Sequence, residues 1–320
     1  MFLYQPLSLE QGMMGIIVLF ALIGANELSR LNKWTGLAFF VAAPIVLTIF
    51  VWPSTSTVEG SSVNDWFHYA KVYSALAGCV GFMAIRYIPR LQKNKIALAF
   101  PPLILSINIL EAVIRDIQVY TFGATGQIID GMAMSSGPWN LMNAAAGILN
   151  ILTITGWFAI KASKLGSSKD MLWVDQIWPW IIAYDLWNFA YTYNCIGDHS
   201  FYAGVMLLAS CTLAAFFLKK GAWLQHRAHT LAIWCMFAQT MPAFIDTSAF
   251  AVKASLNPTA LFTVSFLALA ANIGVAVFEV YKVRKNHVMP WSGKPVFSDT
   301  KAYGRVVAIE EGKAPATRAA

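Results

Sequence analysis

The chain has 320 residues, of which 58% are hydrophobic and only 12% charged, with a formal net charge of +7. An ordinary water-soluble domain carries about twice that charged fraction to coat its surface, so the composition excludes a soluble globule and makes lipid the principal solvent. The basic residues sit in short connections and in the C-terminal tail, where they read as topology signals and contacts with anionic lipid; no aromatic-basic module stands apart to bind nucleic acid.

A bilayer core of about 30 Å takes around twenty apolar residues at 1.5 Å rise. In chain order nine runs qualify: 9–29, 35–52, 68–88, 96–118, 139–160, 172–195, 200–218, 224–246 and 258–281. The second, short and holding Pro44, and the eighth, opening on His226, Arg227 and His229, are the weakest, so eight and ten are the neighbouring counts. Residues 1–12 hold only Glu10 as a charged side chain, which predicts a retained first helix instead of a cleaved signal.

Loop charges alternate along the chain. One set of connections holds Arg30 and Lys33, then Arg86, Arg90, Lys93 and Lys95, then Lys161, Lys164 and Lys169, then Lys219, Lys220 and Arg227, then Lys282, Arg284 and Lys285; the other holds only Lys71, Arg115 and Lys253. The positive-inside rule puts the rich set in the cytoplasm. The expected fold is therefore all-α, a polytopic transmembrane bundle of about nine spans over residues 1–287, with the N-terminus outside. A flexible cytoplasmic tail, 288–320, follows, with Val306 to Ile309 as a short docking strand. The expected location is the cell membrane, as a bacterial inner-membrane protein surrounded by lipid. The outer connections 53–67 and 119–138 are long, rich in Gly, Ser and Thr, and acidic at Glu59, Asp65 and Asp130, as lids and binding segments often are.

Ionisable groups inside a span face other helices or a wet cavity, because hydrocarbon penalises them. In the fourth span Asn108, Glu111 and Arg115 share one face, with Glu111 able to pair with Arg115 one turn on. The fifth repeats the pattern with Asn140, Asn143, Gly147 and Asn150, which suits either a close interhelical contact or a polar cavity wall. The sixth carries Asp185 near mid-membrane, with Asn188, Thr192 and Cys195 continuing its face among aromatics. Candidates for substrate binding or proton relay are thus Asn108, Glu111, Arg115, Asn143, Asn150, Asp185 and Asn188. Others are His68, Lys71, Gln239 and Asp246 toward the outer side, and Glu27, His226, His229, Asn272 and Glu279 toward the inner, with Ser265 on the same face as the last two. The two histidines at i and i+3 lack a third metal ligand, and no cofactor is implied. Cys79, Cys195, Cys211 and Cys235 form no CxxC pair and read as small hydrophobes.

Prolines at 44, 101, 102, 179 and 242 fall inside the second, fourth, sixth and eighth runs; transporters use interrupted helices, and ordinary membrane helices tolerate them. The segments Ala70 to Gly78, Trp139 to Gly147 and Trp180 to Cys195 resemble an uncharacterised bacterial family of multi-pass membrane proteins, a domain of unknown function, over most of the spans. That resemblance implies no catalytic residues. P-loop, His-Glu-x-x-His, Gly-x-Ser-x-Gly and potassium-filter motifs are absent, and no lysine lies deep enough for retinal. The leading expectation is a secondary transporter or permease for a small molecule or ion, with Glu111, Arg115, Asn143, Asp185 and Asn188 lining an outward-facing cavity. The alternatives are an intramembrane enzyme acting on a lipid or isoprenoid, and a sensor or assembly factor acting through its tail.

Overall fold

Each long helix begins where a short polar side chain can satisfy its first free N–H groups. Ser8 opens α1 (Leu9–Arg30) with a reciprocal pair to Gln11, and Asn32 caps α2 (Lys33–Thr55). Asp65 caps α3 (Trp66–Tyr87) and Asn94 caps α4 (Lys95–Phe122). Three helices begin with proline in the first turn, where its missing N–H costs nothing: α5 (Pro138–Leu152), α6 (Trp178–Cys195) and α9 (Pro258–Asn286), the last also capped by Asn257. Helices α7 (Gly197–Leu218) and α8 (Trp223–Thr240) complete the bundle, and α10 (Lys301–Glu310) lies in the tail. The computed structural model describes residues 2–123, 125–129 and 131–311.

Among the described residues, the nine helices α1–α9 thus fall on the nine predicted runs, and the all-α expectation holds. Five of them, α1, α2, α4, α7 and α9, are long and apolar enough to cross a membrane. The outward surface is apolar, with Ile16, Phe20, Phe50, Ile107, Phe266 and Val277 all exposed, while Asn26, Arg86, Arg115, Asp116, His226, Arg227, His229 and Asn272 are buried. That inversion of the usual distribution points to a membrane protein.

Successive helices run in opposite directions, so their junctions gather at two ends. At the basic end Arg30 meets Asp170 (2.7 Å), Arg86 donates to the carbonyl of Ser168 (2.5 Å), and Gln225 donates to Asp170 (2.8 Å). At the acidic end Ser62 bonds His199 (2.8 Å) and Asp246, Lys253 pairs with Asp198 (2.9 Å), and Tyr4 bridges to Ala254.

The structure moves several predicted boundaries. The fifth run stops being helical at Leu152, and the sixth becomes helical only at Trp178. Between them an antiparallel hairpin, β3 (Ile160–Ala162) with β4 (Met171–Trp173), closes the basic end. Hydrophobic content alone cannot separate a buried strand such as Met-Leu-Trp from the end of a helix. Pro179 therefore starts α6 instead of interrupting it, and Pro242 lies beyond α8, whose end it enforces by disfavouring helical geometry at Met241. The acidic-end loop 119–138 holds the hairpin β1 (Thr125–Ile129) and β2 (Met132–Ser135); Asp130 lies outside the described residues.

The tail is not a loose extension as far as residue 311. Asp175 accepts from the backbone N–H groups of Val296 (3.1 Å) and Phe297 (2.9 Å), both buried. Asp299 binds Lys282 (2.9 Å) and Lys285 (3.2 Å), which hold its carboxyl well below the usual range. The run 306–309 docks as part of helix α10, not as a strand, with Val306 and Val307 against Leu172, Val174 and Ala222. Residues 312–320 lie outside the described region.

Candidate functional site

Helix α8 exposes none of its residues, and α6 exposes only an apolar stripe of Trp178, Ile182 and Leu186, so their polar groups turn inward. Between them, α3, α4 and α7 lies a pocket lined by Phe67, His68, Lys71, Asn108, Tyr184 and Asn188 on one side, and by His199, Arg227, Leu231, Trp234, Cys235 and Gln239 on the other. Its clear volume is about 60 Å³, and a water molecule requires roughly 10–15 Å³, so the space holds a few waters or a small solute. His199 and Gln239 stand at the acidic end. Arg227 lies on the same helix as Gln239 and about 18 Å further along its axis. The pocket therefore penetrates most of the bundle.

Two cations face this space. Lys71 pairs with Glu111 at 3.0 Å and donates to the carbonyl of Asn108 at 2.5 Å. Arg227 receives only neutral company: its Nε donates to the Tyr184 hydroxyl (3.3 Å) and its Nη2 to Asn188 Oδ1 (3.4 Å), while Nη1 is buried without a hydrogen-bond partner. Among the described residues no carboxylate lies within 4.0 Å of it. His68 is oriented through Nδ1 by Asp65 (2.7 Å), leaving its Nε2 buried and unpartnered, and Tyr191 adds a buried unpartnered hydroxyl.

The floor is aromatic. Tyr184, which lines the pocket, meets Trp223 edge-on at 4.9 Å and stacks on Trp180 at 5.4 Å. Trp223 in turn lines a second pocket, about 280 Å³, which lies at the basic end beneath Gln176, Lys220, Arg305 and Val306. Two pockets from opposite ends thus approach each other across a single layer of rings. Trp223 is held by its Nε1–H to Thr212 (3.2 Å), whose hydroxyl donates to Asp185 (2.6 Å).

The predicted site residues divide among three places. Asn108, Glu111 and Asn188 belong to the pocket and its lysine. Glu111 pairs with Lys71, not with Arg115: the neighbouring helix brings an ammonium closer than the next turn of α4 can bring its guanidinium. Asp185 lies behind the aromatic floor. Arg115 and Asn143 lie elsewhere. Arg115 is fully buried, donating to Gln118 (2.8 Å) with Asp65 at 3.8 Å. Asn143 (2.7 Å) and Asn140 (3.3 Å) both donate to Asp116, a fully buried carboxylate that also accepts from Cys195 at 3.2 Å. Asn150 is fully buried with neither amide atom bonded, and it does not line the pocket. Asn140 and Asn143 on α5 therefore serve an interhelical contact. Gly147 supports it: a Cβ there would meet Val113 at 2.5 Å and the Trp187 ring nitrogen at 2.8 Å.

Asp116 is not among the candidates the sequence suggests. Arg227, which the sequence places both at the opening of the eighth run and among the loop charges, lies inside α8 and lines the pocket. Asp116 could have been inferred from the need of two aligned asparagines for an acceptor. His226 and His229, read as interfacial, are fully buried, at 2.8 Å from Asn26 and 3.1 Å from Ser29 respectively.

No curated protein and no solved structure matches the chain. A family model does, across residues 5–309, so that nearly every element described above is included. The chain belongs to DUF5692, a family of unknown function.

Proposed function

We propose that this protein is a nine-span permease of the cell membrane, with its acidic end and N-terminus outside and its basic end in the cytoplasm, moving a small solute through the pocket between α3, α4, α6, α7 and α8. The helices that fall short of a membrane-spanning composition include α6 and α8, the two that place Tyr184, Asn188 and Arg227 in the pocket; α8 is enclosed by its neighbours, and α6 presents only Trp178, Ile182 and Leu186 outward, a lipid-compatible stripe. The basic end carries the lysines and arginines that retain cytoplasmic loops. A bacterial inner membrane suits this arrangement.

The observation that carries the reading is the pair of pockets separated by the Tyr184–Trp223 contact at 4.9 Å. A permease needs access from each side in turn and a thin barrier between. Rotation of one ring about its side-chain bonds would join the two spaces, and the hydrogen bonds of Trp223 to Thr212 and of Thr212 to Asp185 hold it shut. Asp185 on this reading positions the gate instead of touching the solute.

The test is flux in reconstituted vesicles, using isotope-labelled pyruvate, glycine, phosphate and glucose against protein-free controls. At least one solute should equilibrate faster with protein present, and Trp223→Leu should turn that carrier behaviour into a leak insensitive to a counter-gradient. No acceleration for any of the four, with the protein folded, would overturn the proposal.

A further inference from the structure

The chemistry of the pocket specifies what should occupy it. A guanidinium stays protonated under all physiological conditions, and a buried charge without a counter-ion is strongly disfavoured. Arg227 is only 6% exposed, and no carboxylate approaches within contact distance among the described residues. Asp185 feels the charge of Arg227 from behind the aromatic floor but makes no ion pair with it, and it spends one oxygen on Thr212. The second cation, Lys71, faces the same space and is paired with Glu111. The Arg227 guanidinium therefore has no ion-pair partner in contact, and one N–H, on Nη1, is still to be satisfied.

Phe67, Leu231, Trp234 and Ala238 form an apolar part of the wall, and His68, Tyr191, His199 and Gln239 a neutral polar part. We infer that the pocket binds a small organic monocarboxylate, its carboxylate against Arg227 and its short apolar body toward Trp234. A guanidinium fork matches a carboxylate in geometry, a monoanion brings one charge to the one guanidinium without a contacting ion pair, and a dianion such as phosphate would bury a second charge with no cation left to meet it, Lys71 being held by Glu111. The inference rests on the permease reading only for the site it uses; binding can be measured apart from flux.

The experiment is calorimetric titration of the purified full-length protein in lipid nanodiscs with butyrate, with butyramide as its uncharged match, and with inorganic phosphate. Butyrate should bind about 30-fold more tightly than butyramide, the range expected for hydrogen bonds to a charged group, and phosphate should not compete. Arg227→Gln should remove that preference. Glu111→Gln frees Lys71 and adds a positive charge to the pocket, so it should tighten butyrate by about 5-fold, a gain that misfolding cannot produce. Equal affinity for butyrate and butyramide, displacement by phosphate, or weaker butyrate binding in a folded Glu111→Gln protein would overturn the inference. If butyramide binds equally and is also carried, the permease reading survives and the anion site does not; if butyrate binds selectively but no solute moves, the reverse holds.

Discussion

Two buried polar clusters lie side by side in the bundle, and they differ in how completely they are satisfied. Around Asp116, both carboxylate oxygens are occupied, one by Asn143 and the other by Asn140 and Cys195. Around Arg227, the donors outnumber the acceptors, one N–H is unpartnered, and the space beside it is empty of side chains. A carboxylate with both oxygens bonded has spent them on joining helices, although Asn143 Oδ1 beside it stays unbonded and enclosed away from the pocket; a guanidinium with a free N–H next to a void retains that bond for something that enters. The difference teaches that buried polarity in a membrane bundle is informative about function only after its bonds have been counted.

The comparison can be broken most forcefully at Asp116. Asp116→Ala strands the amides of Asn140 and Asn143, and each orphaned buried donor costs about 1–3 kcal/mol, so denaturation in detergent should show a loss of about 3 kcal/mol or more. A stable Asp116→Ala protein that had lost binding would invert the assignment. Arg227→Leu should behave oppositely. Replacing a poorly compensated buried charge with a hydrophobic side chain is often neutral, or stabilising by about 1–4 kcal/mol, so its melting temperature should match or exceed that of the wild type while carboxylate binding disappears. A marked drop in melting temperature would show that Arg227 is structural after all.

A smaller effect should come from pH, at the basic end and away from both clusters. Burial raises the pKa of Asp170, but Arg30, Gln225 and Ser168 outweigh it and hold the carboxyl below its ordinary 3.8. A depressed folded pKa means that the stabilisation is complete above the unfolded value and is lost as pH falls through the folded one. Melting temperature should thus be insensitive to this group from neutrality down to about pH 5 and fall below about pH 4. In Asp170→Asn that acid-side decline should be shallower, as thermal denaturation at stepped pH would reveal.

Much of the helix placement was legible in the sequence because hydrophobic runs interrupted by charge are a local signal. The helix ends were less legible: Pro242, which falls inside the eighth run, lies beyond α8, and Pro179 starts α6 instead of interrupting it. The hairpin at Met171–Trp173 was not legible, since three apolar residues are compatible with either a strand or a helix end until Gln225 and Gly221 are seen to satisfy its backbone. For the site, Asn108, Glu111 and Asn188 were found by their helical spacing. Their partners Lys71 and Arg227 lie on other helices, and no periodicity along one helix encodes which face of another it meets.

Local pattern along the chain is enough to show apolar helices with alternating basic junctions, and polar residues entering those helices at Asn108, Glu111, Asn143, Asp185 and Asn188. What these residues do depends on how the helices pack. That packing assigned Glu111 to Lys71 and Asn143 to Asp116, set Asp185 behind Trp223, and left Arg227 with an open bond. The reason is physical: hydrophobicity and helix capping act over a few neighbouring residues, whereas the compensation of a buried charge depends on which distant side chain packing brings within about 4 Å.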